Sequence, residues 1–500
     1  MESVLVANRG EIAVRVIRAC RELGLRSVAV FSDADRHALH VMMADEAHRL
    51  GPAAAGESYL RGDRLVETAL RSGVDAVHPG YGFLAERAEF ARAIEEAGLI
   101  FVGPPSAAIA AMGDKTQARH RMRDAGVPIV PGTVEPVRDP DAALAAAEEV
   151  GYPLLIKAAA GGGGKGMRSV AGPDELSPAL AAARREAAAA FGDDSVYLER
   201  LLVRPRHIEV QLLADGNGHV VHFGERECSI QRRHQKLVEE APSSVLSQEE
   251  REAMGAAAVR AAQSVAYRGA GTVEFLYQGG EFYFLEMNTR IQVEHPVTEM
   301  ITGIDLVQWQ LRIARGEPLA LTQAEIRLRG HAIECRITAE DPTGGFLPAT
   351  GRVDHFTPPS GPWVRWDGGV AQGTEVGLHY DSLLGKLVVW APSREDAIER
   401  MARALDELLL TGVETSVGFH RRLMQEPDFR AGRIDIGYVD AHPGVVNGPL
   451  PGEEGRDPGT AAVLAALLEV ERRRTLTPPR IDGNPSDRSL SPWQLRGRTP

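Results

Sequence analysis

The chain has 500 residues, 44% of them hydrophobic, enough to bury several cores, and its length predicts about three domains or lobes. A formal net charge of -13 argues against a nucleic-acid binder, which would carry a basic face, and no charged leader or run of about 18 apolar residues points to secretion or a membrane. Cys20, Cys228 and Cys335 have neither zinc-ligand nor disulfide-framework spacing, which fits a reducing, cytoplasmic setting.

In chain order, Val4 to Ala7, Glu11 to Leu23 and Ser27 to Phe31 read as strand, helix and strand, with Ile12, Val16 and Leu23 on one stripe. This predicts an α/β start on a parallel sheet. The first turn, Asn8-Arg9-Gly10-Glu11, lacks the G-x-G-x-x-G that a dinucleotide pyrophosphate requires. The pattern continues through Val74 to His78, the turn Pro79 to Gly82, a helix near 86–97 and Ile100 to Val102, so a first lobe spans 1–112 and a connecting helix 113–130. Residues 131–202 predict a small lid lobe, with strands at 153–157, 167–170 and 196–199 around an Ala-rich helix at 174–190. Residues 203–446 predict a larger domain of alternating strands and helices. The segment 447–500 holds 8 of the 31 prolines around one candidate helix, 460–474, and reads as linker or partner-bound chain.

The cation usage is lopsided: five lysines stand against 51 arginines. An ammonium is a compact point charge, where a guanidinium is a flat fork, so the retained lysines mark positions that need the former. Four have anion-binding contexts: Lys115 in Met112-Gly-Asp-Lys115, Lys157 at the end of an apolar run, Lys165 within Gly161 to Gly166, and Lys236 ending His234-Gln-Lys236. Lys386 has no evident ligand role. The glycine run joins two strands and lacks the Lys-Ser/Thr of a P-loop, so it reads as a hairpin flap whose amides close over phosphate.

Gly271 to Tyr277 and Glu281 to Asn288 predict a hairpin, with Gln278-Gly279-Gly280 as a three-residue loop placing Glu274 opposite Glu286. Glu286 and Asn288 then share a face by the period of two. Two facing carboxylates repel unless a cation lies between them, and two carboxylates with an amide suit Mg²⁺ or Mn²⁺. A solvated polar face is the alternative. Arg290, Gln292 and Glu294 continue the alternation, so Arg290 is a candidate to hold a small anion and Glu294 a candidate general base.

Together, Ala7-Asn-Arg-Gly-Glu-Ile-Ala13, His78-Pro-Gly-Tyr-Gly-Phe-Leu84, Gln231-Arg-Arg-His-Gln-Lys236, Glu286 to Glu299 and Glu334-Cys-Arg336 resemble biotin carboxylase, the ATP-grasp component of biotin-dependent acyl-CoA and pyruvate carboxylases, over residues 2 to about 440. The resemblance implies an ATP-grasp fold with a Rossmann-like N-terminal lobe, a mobile lid and an α+β C-terminal domain. It implies ATP contacts from Lys115, Lys157, His207 and His234, phosphate closure by Gly163 and Gly164, and an adenine hinge at Glu199, Arg200, Leu201 and Leu202. Glu274, Glu286 and Asn288 would carry the metal. Lys236, Arg290 and the Val293 backbone would hold bicarbonate, Glu294 would be the base, and Arg336 would face the biotin ureido oxygen. Arg200 stands where the family often has Lys, and Ala160 where a further Gly is common.

The implied reaction is ATP-dependent carboxylation of biotin through carboxyphosphate. The family attaches biotin to a Lys that follows Met, and no lysine here does, so biotin would arrive on a separate carrier domain or protein, with a carboxyltransferase as further partner. A homodimer or larger carboxylase assembly is expected, with Arg15, Arg18 and Glu22 as interface candidates, and the tail reads as the start of a bridging region. The competing readings are another ATP-grasp acyl-phosphate ligase and an inactive ATP-binding regulator.

Overall fold

Strand β1 (Ser3–Val6) is buried on both faces, as expected of a strand covered on either side by helices. Val4 and Val6 pack with Ile12 and Val16 of helix α1 (Gly10–Glu22), while Leu5 points the other way onto Val28, Val77 and Phe101. With β2 (Arg26–Ser32), β3 (Glu46–Gly51), β4 (Ala76–His78) and β5 (Ile100–Phe101) it forms a parallel sheet of order β3-β2-β1-β4-β5. The first turn is locked to the second motif: Asn8 Nδ2 donates to the carbonyls of Pro79 and Tyr81, both at 2.7 Å. Gly80 is required there, because its φ is +63° and a Cβ would lie 2.9 Å from Asn8 Nδ2.

The computed structural model describes residues 1–133, 136–137, 140–158, 167–191, 194–451, 463, 466–467 and 469–470. Met1–Gly448 form one compact unit and Pro449–Pro500 a second. In the second, the described residues from 463 onward are helical, with Val463, Leu467 and Val470 exposed; the rest of the predicted helix 460–474 lies outside the described residues, as does the glycine run with Gly163, Gly164 and Lys165. Among the described residues no helix is long and apolar enough to cross a membrane.

A three-stranded antiparallel sheet of order β7-β6-β8 is built from β6 (Leu154–Ala158), β7 (Arg168–Val170) and β8 (Val196–Arg200). Leu154, Ile156, Val170 and Leu198 bury against Leu176, Leu180 and Ala183 of the helix Pro173–Phe191. The large sheet is antiparallel throughout. It comprises β9 (Arg206–Ala214), β10 (Val220–Arg232), β11 (Gln235–Ala241), β12 (Gly269–Gln278), β13 (Glu281–Asn288), β14 (His331–Thr338) and the strands Leu383–Ala391 and Val364–Gly368, in the order β13-β12-β9-β10-β11-β14 followed by those two.

The β12–β13 hairpin differs from its expected form. Gln278 pairs with Glu281, so the loop is the two residues Gly279-Gly280, both at positive φ. A bulge between Glu274/Glu286 and Phe275/Phe284 leaves Leu285 turned outward. Glu274 does oppose Glu286, but through this bulge, since a three-residue loop with regular pairing would set Glu274 against Phe284. The bulge also lets Phe284 and Met287, three residues apart, share one core with Val273 and Phe275, while Glu286 and Asn288 take the other face.

A buried charge network ties the N-terminal sheet to the rest. Glu299 receives Arg15 of α1 at 2.9 Å and Arg365 of the strand Val364–Gly368 at 2.7 Å, and Arg15 also meets Asp305 at 2.7 Å. Arg15 is therefore largely buried within the chain, whereas Arg18 and Glu22 are exposed. Burial works to raise the Glu299 carboxyl, but the two arginines outweigh it and hold it at about 2, below the 4.5 of a free glutamate. The depressed value means Glu299 stabilises the fold above pH 4.5 and loses that contribution as pH falls toward 2, roughly 3 kcal/mol in all. Glu299→Gln is expected to flatten this part of the acid-unfolding curve, and to lower stability at pH 7 by about 3 kcal/mol, measured by urea denaturation, because two arginines are left buried without their carboxylate.

Candidate active site

Strand register alone assembles a row of charge across the large sheet. Glu286 opposes Glu274 on β13 and β12, Glu274 opposes Glu209 on β9, and Glu209 opposes Arg226 on β10. Arg226 is fully buried, with Nε 2.5 Å from Glu209 and its other nitrogens donating to Gln211, Thr298 and Thr272. Lys236 reaches in from β11 and gathers three carboxylates: Glu209 at 2.6 Å, Glu274 at 3.1 Å and Glu294 at 2.6 Å. His207 Nε2 lies 2.9 Å from the other Glu274 oxygen. Asn288 and Gln292 amides donate to Glu274 as well, at 2.8 and 3.0 Å.

Glu294 ends the irregular segment after β13 and begins the helix His295–Thr302. Its side chain is wholly buried between two cations, with Oε1 on Lys236 and Oε2 on Arg336 Nη2 at 2.9 Å. Arg336 projects from β14 and is also held by Glu239, whose carboxylate accepts from Nε at 2.6 Å. Burial would raise Glu294, yet Lys236, Arg336 and Arg226 outweigh it and hold the carboxyl well below the usual range. Glu274 is likewise kept low by Lys236 and His207 against the effect of burial. Glu239 goes the other way: burial, only partly offset by Arg336, lifts it to about 7.

Glu274, one of the two facing carboxylates of the hairpin, is thus met by the chain's own Lys236. Two carboxylates and an amide, all oxygen donors, still make a set suited to a hard divalent cation. His207, Glu209 and Glu274 bring ligand atoms within 4.8 Å of one another, a group that does not include Glu286.

Arg290, read as an anion holder, is anchored by Glu86 at 2.9 Å and donates to Gln292 and to Asn288 Oδ1. Val293 is next to Glu294, and its carbonyl accepts from Lys386. On the small sheet, Glu199 is buried and paired with both Lys157 and Arg119. Leu201 donates to the Pro153 carbonyl at 2.8 Å and Arg200 to that of Val150 at 3.3 Å, while Leu202 is half-buried. His234 stands exposed at the β10–β11 turn, where Arg233 and His234 both have positive φ. That backbone is strained for side-chain-bearing residues, a feature that recurs at ligand sites. Lys115 opens the helix Lys115–Asp124, and its side chain lies outside what is described.

Sequence reasoning misses Glu209, Arg226, Glu239, Glu86 and Arg119. Glu209 and Gln211 follow His207 at the period of two and are readable as one polar face of β9. Glu86 carries no local signal, since it meets Arg290 across 204 positions.

Residues 1–109 and 334–441 match the biotin carboxylase N-terminal and C-terminal domains, and residues 114–322 match the ATP-binding domain of the carbamoyl-phosphate synthase L chain. A biotin carboxylase of Nostoc sp. is 54% identical over 439 residues, covering 88% of this chain and 98% of the relative. The chain belongs to the biotin carboxylase family. One of the pyruvate carboxylase subunits of Methanothermobacter thermautotrophicus is also 54% identical, over 88% of this chain and 89% of its own. The biotin carboxylase domain dimer of Hydrogenobacter thermophilus 2-oxoglutarate carboxylase, solved with MgADP, ADP and bicarbonate, superposes with a TM-score of 0.81 at 49% identity, covering 89% of this chain and 98% of that one. The fold is accordingly the expected ATP-grasp fold, and by family the chain is an ATP-dependent carboxylase.

Arg226 is the cation most deeply committed to this site. Arg226→Met should cost about 3–5 kcal/mol by urea denaturation, and adding Glu209→Gln should recover part of the loss, because the uncompensated charge is removed.

Proposed function

We propose that the chain carboxylates biotin presented by a separate carrier domain or protein, using ATP and bicarbonate, as the first half-reaction of a biotin-dependent carboxylase. The observation that carries this reading is Glu294, a buried carboxylate bridging Lys236 and Arg336, one cation for each of the two substrates that must meet there. Lys236, Arg290 and the Val293 N–H hold bicarbonate. Glu294 takes its proton, and the freed oxygen attacks the γ-phosphorus of ATP, displacing ADP and giving carboxyphosphate. Carboxyphosphate breaks to carbon dioxide and phosphate; phosphate takes the biotin N1′ proton, Arg336 stabilises the ureido oxyanion, and N1′ attacks carbon dioxide.

Glu294 is a weak base while both cations grip it. Bicarbonate drawing on Lys236, and biotin on Arg336, would relieve that grip and strengthen the base only when both substrates are seated. ATP is held by Lys115, Lys157, His207 and His234, by Gly163 and Gly164 over its phosphates, and by Glu199 to Leu202 at its adenine. Glu274, Glu286 and Asn288 would hold Mg²⁺ or Mn²⁺, which neutralises phosphoryl charge when bound.

The partners we infer are a biotin carrier, a carboxyltransferase and a second copy of the chain, and the lobes are those delimited at 112, 130, 202 and 446. The three cysteines are buried and free, which supports a reducing, cytoplasmic location.

ATP cleavage by the purified chain, with Mg²⁺ and with bicarbonate and free biotin varied separately, tests the reading: turnover should require bicarbonate and rise with biotin. Glu294→Gln should lower bicarbonate-dependent cleavage by about 100-fold. Arg336→Ala should leave ATP affinity within about twofold while suppressing carboxybiotin formation; loss of nucleotide affinity in that variant would count against its assignment.

A further inference from the structure

Lys386 is the one lysine that the sequence leaves without a role, in a chain that otherwise prefers arginine. Its side chain is wholly buried in the strand Leu383–Ala391. Nζ donates to the Val293 carbonyl at 2.8 Å and pairs with Glu11 Oε1 at 3.0 Å. The same Glu11 oxygen accepts from the Tyr81 hydroxyl, and the Tyr81 ring centroid lies 6.0 Å from Nζ. Glu11 sits in the first turn of α1, pressed against the C-terminal part of the unit: a Cβ on Gly369 would lie 2.6 Å from the Glu11 nitrogen.

We infer that Lys386 is a positioning residue for bicarbonate, acting through the Val293–Glu294 peptide. This rests on the reading that the Val293 N–H and Glu294 handle bicarbonate. The segment from Thr289 to Glu294 has no strand or helix ladder to hold it, so the orientation of each peptide in it depends on individual bonds. Lys386 fixes the carbonyl between the proposed anion-binding N–H and the proposed base. In a dry site such a bond is strong, and its loss frees the peptide to turn. A guanidinium would not serve: the two acceptors require a single small donor in a fully packed space. Because its counter-ion comes from α1, the peptide is held only when the N-terminal sheet is docked on the large one.

The test uses the full chain with Mg²⁺, ATP, bicarbonate and free biotin. Lys386→Met removes the donor but strands Glu11, so Glu11→Gln/Lys386→Met, which removes both charges, is made beside it. Thermal melting identifies the folded variants. In these the KM for bicarbonate should rise by about tenfold while the KM for ATP stays within about twofold. A purely structural role would lower kcat through loss of folded protein and leave both KM values alone. A folded double variant with the parental KM for bicarbonate, or one in which both KM values move together, overturns the proposal. If the parent chain itself shows no bicarbonate dependence, the functional reading falls and this inference with it; parental dependence with an unaffected variant removes only the role of Lys386.

Discussion

Glu209, Glu274 and Glu294 cannot be buried together without cations, and this requirement organises the large sheet. Taking a carboxylate out of water costs several kcal/mol, and the neighbouring like charges add to it. The compensation comes from strands farther across the sheet: Arg226 and Lys236 from β10 and β11, and Arg336 from β14. Shifting any strand by one residue would turn its charged members to the apolar face and leave the others unbalanced. The same cations are the groups that anionic substrates need. In the function we propose, bicarbonate and triphosphate would enter by exchanging one set of ion pairs for another, the cost of assembling buried positive charge having already been met by the folded chain.

The N-terminal sheet contributes to this centre from outside it. Asn8 braces the Pro79–Tyr81 turn, Glu11 meets Lys386, and Arg15 meets Glu299 one turn beyond Glu294. Three residues from the first fifteen thus reach contacts that bear on the helix and segment carrying the proposed base. Two of the three are buried charge pairs, which break at higher cost than apolar contacts when only one partner is lost. The docking of this lobe is consequently specific in register as well as in surface.

Much of this can be read from the chain, for identifiable reasons. Parallel strands buried on both faces announce themselves as apolar runs, and Val4 to Ala7 is such a run. The Glu274–Glu286 pairing is legible, though its mechanism is not, because a bulge depends on which of two apolar residues is turned outward, and Leu285 looks no different from Phe284 in a pattern. Glu209 escapes notice although alternation marks it. Glu86, Arg119 and Lys386 are beyond reach: each acts through a partner brought near only by tertiary packing. Of the two facing carboxylates of the hairpin, Glu274 is met by a cation from a strand not adjacent to it, Lys236 of β11.

The bulge at Leu285 also bears on how this hairpin can vary in length. It sits on the outer strand of the sheet, where insertions and deletions are ordinarily tolerated. Here the bulge absorbs the extra residue and keeps the apolar and acidic faces of β13 in phase. Removing Leu285 would bring Phe284 and Met287 to two residues apart, on one side of the strand, so the hairpin could lose the bulge and keep both faces. Keeping Leu285 in a ladder without the bulge would instead either expose an aromatic ring or draw a carboxylate into the core. Length at this edge can consequently change only together with the bulge, because the two faces must stay in phase.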